Sequence, residues 1–104
     1  MKVISSQHYT DERIVARKMT EIKGRESITL PVIYAGEYDG ESLYILVDGH
    51  HRGAAAKALD IKIEYEVRDR SELGYDPDWS LEQALEAMWL DGDWYDFETG
   101  ELVF

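Results

Sequence analysis

With 104 residues, 44% of them hydrophobic and 12% aromatic, the chain has the size of one compact domain that buries somewhat over ~60% of the surface its unfolded form exposes. It has no cysteine, which excludes disulfides, thiolate metal sites and thiol catalysis and makes a reducing cytoplasm the expected setting. The net charge of -11 is unevenly spread: residues 1 to 68 hold 10 Lys/Arg against 11 Asp/Glu, whereas residues 69 to 104 hold Arg70 against 11 acids, so the tail would repel duplex phosphates and argues against non-specific DNA binding.

Met1 is followed by Lys2-Val3-Ile4 and then polar residues, which provides no signal-peptide core. No apolar stretch approaches the ~20 residues of a membrane span, so a soluble protein with no membrane partner is expected. Thr10 is the predicted N-cap of a first helix, with Asp11 and Glu12 in its first turn, where the helix dipole favours acids. Val15, Met19 and Ile22 fall on one face, and Gly24 is a stop signal. Arg13 and Arg17 lie one turn apart, either as a solvated face or with one of them reaching toward a ligand site.

Leu30 to Ala35 reads as a strand with Pro31 near its start, where a missing N–H costs least. Asp39-Gly40 marks a hairpin connection, and Leu43 to Val47, apolar on both faces, reads as an interior strand. An alanine-rich helix over residues 50 to 59 follows. Ile61 to Val67 then alternates apolar and charged residues, the pattern of a strand with one buried face. A helix between these two strands implies a right-handed crossover joining parallel neighbours. In the tail, Ser80 and Gln83 form a capping-box pattern ahead of Leu81, Ala84, Leu85, Met88 and Trp89 at helical spacing. Trp94 to Phe97 and Leu102 to Phe104 read as a terminal hairpin, and the tryptophans Trp79, Trp89 and Trp94 are not the composition of a disordered segment. The elements predict an α+β fold, a small mixed sheet with helices mainly on one side, in one domain over residues 1–104.

Chemistry concentrates at Asp48-Gly49-His50-His51-Arg52, where the apolar strand hands over to the alanine-rich helix. A helix start presents unpaired N–H groups and the positive end of the dipole, and two histidines and an arginine placed there suit a phosphate. Residues 30 to 70, with strand, hairpin turn, strand, this turn, Ala54-Ala55-Ala56-Lys57-Ala58-Leu59 and a following strand, resemble the N-terminal domain of the ParB/sulfiredoxin superfamily. The resemblance implies that Gly49, His50, His51 and Arg52 form a Gly-X-X-Arg turn gripping nucleotide phosphates, with residues 71–104 an acidic, aromatic extension to the family core. His50 stands where sulfiredoxins have their cysteine, so sulfinic acid repair is excluded. The 104 residues leave no room for the DNA-binding and dimerisation domains of partition proteins, so a stand-alone member is expected.

Each side chain of the turn has two readings. Arg52 either pairs with Asp48 or a tail acid, or gives a phosphoryl group a forked grip. His50 and His51 are either helix-start histidines bonded to the backbone or donors and proton shuttles at a phosphate oxygen. Asp48 is a turn residue or, with His51, a catalytic group. No metal site is assigned beyond magnesium arriving with a nucleoside triphosphate. The leading reading is therefore nucleotide binding, with weak NTP hydrolysis or phosphoryl transfer as the activity to seek. An alternative is a non-catalytic inhibitor, immunity protein or DNA mimic, whose acidic surface covers a basic protein partner with Trp79, Trp94 and Tyr95 as anchors. ParB-like nuclease activity is the third.

Overall fold

The computed structural model describes residues 1–104. The Asp39-Gly40 pair turns the chain back as the sequence requires: both residues are left-handed, with φ of 52° and 76°, the backbone of a two-residue hairpin whose twist matches its strands. The strands it joins are β2 (Ser27–Tyr38) and β3 (Glu41–Leu46), antiparallel from Val32↔Leu46 to Tyr38↔Glu41 with a bulge between Tyr34 and Gly36. Pro31 lies inside β2 and not near its start. Its carbonyl accepts the Val47 N–H at 3.0 Å, beyond the last β2–β3 pair, so the donor it lacks falls where β3 has already ended.

Around this hairpin the chain adds β1 (Lys2–Ser5), α1 (Glu12–Ile22), α2 (His50–Ala58), β4 (Lys62–Arg68), α3 (Leu81–Ala87) and β5 (Tyr95–Asp96). One mixed sheet results, in the order β4-β2-β3-β1-β5. The expected parallel neighbours, β3 and β4, do not pair. β1, an element the sequence reading lacks, runs parallel along one edge of β3, and β2 holds the other. The open edge is that of the longer β2, which begins five residues before Val32, and β4 takes it in parallel from Ser27↔Lys62 to Ile33↔Arg68.

Alternation along the central strands puts apolar side chains on both sheet faces. Val3, Ile28, Leu30, Val32 and Leu46 pack with Ile22 of α1, Ala55 and Ala56 of α2, and Phe97. Ile4, Ile33, Ala35, Leu43 and Ile45 point the other way and are covered by Ala84 of α3 and by Trp94. Two of the three helices therefore lie on one face of the sheet and α3 on the other, because a second apolar face needs a second cover. The tail is built into both layers. Gly53 shows how closely: a Cβ there would lie 2.5 Å from Phe97 Cζ, so only glycine lets the tail ring sit against α2.

The remaining differences are local. Asp11, not Thr10, is the N-cap of α1 and accepts the Arg13 N–H at 2.8 Å. The capping box at Ser80 and Gln83 forms as predicted, but α3 stops at Ala87 with Met88 as its C-cap, so Trp89 leaves the helical phase and stands 56% exposed. The terminal hairpin is reduced to one bridge, Tyr95↔Leu102, supported by the Val103 N–H to the Trp94 carbonyl at 2.8 Å. No helix is long and apolar enough to cross a membrane.

Candidate functional site

Gly49 turns β3 into α2. It is the N-cap of α2 in the left-handed conformation, φ 89° and ψ 25°, and an added Cβ would lie 2.6 Å from Leu30 Cδ2. Both the dihedral and the space demand glycine. The Gly49 N–H donates to Asp48 Oδ1 at 2.7 Å, and its carbonyl accepts the Gly53 N–H at 2.7 Å. Having no side chain, Gly49 offers no acceptor to the first turn. The N–H groups of His50, His51 and Arg52 consequently have no partner within the protein.

These amides open on a cleft of about 420 Å³ lined by the Asp48 to Arg52 turn, the Thr29 to Pro31 stretch of β2, Lys18 of α1 and Gln7. Arg52 makes no ion pair with Asp48 or the tail, and its one tether is a 3.5 Å contact from Nη1 to the Thr29 carbonyl, at the limit of a hydrogen bond. Lys18 pairs at 3.3 Å with Glu21 on the surface, an exposed interaction of the weak kind. Two cations thus face a single carboxylate, Asp48, on a chain of net charge -11.

The two histidines turn away from each other, and each ring is tied at Nε2. His50 is 8% exposed. Its Nε2 lies 2.7 Å from Ser5 Oγ, which also accepts the Gln7 N–H at 3.0 Å. Ser5 is buried, and in the tautomer in which its hydroxyl donates to His50 Nε2 the ring proton sits on Nδ1. Burial holds the His50 pKa below the ordinary histidine value, and the nearby Asp48 carboxylate only partly offsets it. His51 Nε2 accepts the Asp11 N–H at 3.1 Å, which places its neutral-ring proton on Nδ1 as well. The His51 ring is thereby engaged as a cap on the start of α1, and its Nε2 is not open to take a proton from a substrate. The other catalytic candidate, Asp48, is exposed, with Oδ1 accepting from Gly49; it is a turn residue whose Oδ2 has no protein partner.

Of the residues named for a partner surface, Trp94 is 7% exposed inside the second core. Tyr95 is half-buried, its hydroxyl donating to the Gln7 carbonyl at 2.5 Å and its ring edge-on to His8. Neither is free to anchor a partner. Trp79 is half-buried beside Tyr75, and the exposed apolar side chains of the acidic tail are Trp89, Leu90, Leu102 and Phe104. The tail instead supports the site. Asp91 accepts the N–H groups of His8 and Tyr9 at 2.6 and 3.2 Å, and Ser6 Oγ accepts that of Leu90 at 2.8 Å, which fixes the segment that carries Gln7. The His8 N–H, ahead of the other causes, holds the Asp91 carboxyl below its usual range.

Gln7, Lys18 and Thr29 are cleft residues that sequence reasoning missed. For Lys18 a signal existed. At 100° per residue, Lys18 lies roughly 65° from the centre of the Val15, Met19, Ile22 stripe, whereas Arg13 and Arg17 lie on the far side. Arg13 is accordingly turned back onto Asp11 at 3.3 Å. No three His, Asp or Glu side chains converge as a metal-binding group. Comparison with protein-family models, with curated proteins and with solved structures finds no match for the chain.

Proposed function

We propose that the cleft at the start of α2 binds the phosphates of a nucleotide, as a stand-alone ParB/sulfiredoxin-like domain. The observation that carries this reading is the row of unpartnered amides at His50, His51 and Arg52, opening between Lys18 and Arg52. Backbone donors and the dipole end attract an anion, and Arg52, tied to no carboxylate, can close a two-pronged grip on it. Asp48, whose Oδ2 has no protein partner, would be the cleft carboxylate that holds a magnesium ion carried by a triphosphate. His50, through Nδ1–H, serves as a donor to a phosphate oxygen, and His51 contributes its backbone N–H. Any hydrolysis or transfer would then come from positioning and charge stabilisation, with no covalent enzyme intermediate.

Calorimetric titration with ATP, CTP and their diphosphates tests the reading. The parent protein is expected to bind, and Arg52→Ala to bind at least about tenfold more weakly, the effect of one charge-assisted hydrogen-bonded grip. No heat from any of these compounds at millimolar concentration, on a folded parent, overturns it.

A further inference from the structure

The cleft is unusual in what it lacks. Pockets that hold drug-sized organic ligands are lined mostly by apolar and aromatic side chains, with a few polar groups to orient the ligand. Here Leu30 and Pro31 are the apolar side chains among the ten lining residues, and no Phe, Tyr or Trp is present. A nucleobase is held by stacking on a ring or a guanidinium plane and by hydrogen bonds to its edges. The His50 ring is enclosed and T-shaped to Phe97 with centroids 6.3 Å apart, so it offers no open face. The His51 ring is half-buried with its Nε2 edge bonded to Asp11, and the Arg52 guanidinium is the group that the phosphate grip already uses. Tyr9, the exposed tyrosine close in sequence to Gln7, does not line the cleft.

What the cleft does present is a set of donors. A second observation, separate from the helix start, points the same way. His50 is more than nine-tenths buried, its Nε2 is satisfied by Ser5, and its Nδ1 has no partner in the protein. Tyr65 Oη is the fully enclosed side-chain polar atom left without a partner, so His50 Nδ1 keeps an opening, and the space that His50 borders is the cleft. With the Ser5 hydroxyl donating to Nε2, this imidazole presents an Nδ1–H donor whose acceptor comes from outside the chain. Three amides, an imidazole N–H, a guanidinium and an ammonium make a site rich in donors, with Asp48 its one charged acceptor.

We infer that recognition stops at the phosphates: the cleft takes a short polyphosphate group as its ligand and is indifferent to the base, or to the absence of one, beyond it. This rests on the phosphate-cleft reading above and narrows it from nucleotides to the polyphosphate moiety itself. Tripolyphosphate and the triphosphate end of any nucleotide are then equivalent ligands.

The experiment is a calorimetric titration of the full chain, at fixed magnesium and ionic strength, with pyrophosphate, tripolyphosphate, ATP, CTP, GTP and UTP in turn. Tripolyphosphate and the four nucleotides are expected to bind within about threefold of one another, a spread of under ~1 kcal/mol, and Arg52→Ala to weaken all five by the same factor. In a two-bond ¹H–¹⁵N spectrum of the histidine rings, tripolyphosphate is expected to move the His50 Nδ1 signal as ATP does. One nucleotide binding tenfold or more tighter than both tripolyphosphate and the other nucleotides overturns the inference and leaves phosphate binding intact. An unmoved His50 signal with a bound ligand overturns the role given to that ring. Absence of binding by every compound overturns the phosphate reading itself.

Discussion

At the start of α3 the Ser80 hydroxyl accepts the Gln83 N–H at 3.2 Å while the Gln83 side chain accepts the Ser80 N–H at 2.9 Å. At the start of α2 there is only Gly49, with no side chain to offer. The start of α1 resembles α3: Asp11 accepts from Arg13, and the Asp11 N–H is itself met by His51. Two helices thus have side-chain caps at their starts, α1 with help from His51 of α2, and one leaves its donors to whatever enters the cleft. Capping stabilises a helix by about 1 kcal/mol, a contribution α2 forgoes. Its place is secured instead by packing, with Ala55 and Ala56 fully enclosed and Gly53 against Phe97. Where packing holds a helix, its N-terminus is free for chemistry.

Substitutions sharpen this contrast, and the largest effect is expected from the residue that does the packing. Phe97→Ala removes a buried ring that touches α2 from the acidic tail and is expected to cost about 3–5 kcal/mol in chemical denaturation. A loss below ~1 kcal/mol would mean that the tail is an appendage after all. Gly49→Ala follows. It forces a side chain into the left-handed cap and against Leu30, with an expected cost of about 1–3 kcal/mol and weaker tripolyphosphate binding. Ser80→Ala is expected to cost about 1 kcal/mol through the lost cap and to leave ligand binding unchanged. Equal loss of binding in these two variants would erase the distinction between the closed and the open helix start.

The smallest effect is a pH slope. Because burial lowers the His50 pKa, the unfolded chain takes up a proton near the ordinary value of about 6.5 that the folded chain refuses. The contribution is complete above that range and is lost as pH falls from it toward the lower folded value. Denaturation midpoints measured between about pH 7 and 5 should therefore decline, and His50→Asn should flatten that decline. Asp91 acts in the same direction in a separate window. Its lowered pKa, set first by the His8 N–H, gives a contribution lost only as pH falls through the carboxylate range below about 4. A midpoint that rises between pH 7 and 5 would contradict the buried neutral imidazole.

The parts of this molecule written in local residue chemistry are legible without coordinates. Asp39-Gly40 dictates its turn, Ser80 and Gln83 dictate their box, and Gly49 ahead of an alanine-rich run marks the open helix start. What is illegible depends on residues far apart in the chain. β1 is four residues long and is a strand because β3 and β5 lie on either side of it. Without it, β3 is left with a free edge, and β4 is assigned to the wrong neighbour. The His51 bond to Asp11 spans 40 residues, so the sequence leaves its backbone-bonded and proton-shuttle readings side by side and does not show that the backbone it meets is the start of another helix. Trp94 and Tyr95 read as partner anchors because tryptophan and tyrosine serve both interfaces and cores, and only the two sheet faces decide, Trp94 packing on the second and Tyr95 on the first. Lys18 was within reach of a helical wheel, since it flanks the buried stripe of α1.

The central claim, that the α2 amides are kept open for an anion, is tested most directly by following backbone ¹H–¹⁵N resonances as tripolyphosphate is added. The account predicts that the largest shifts fall on His50, His51 and Arg52, with smaller ones near Lys18, and none at the capped starts of α1 and α3. Shifts confined to other surfaces, or no shifts at millimolar ligand, would contradict it.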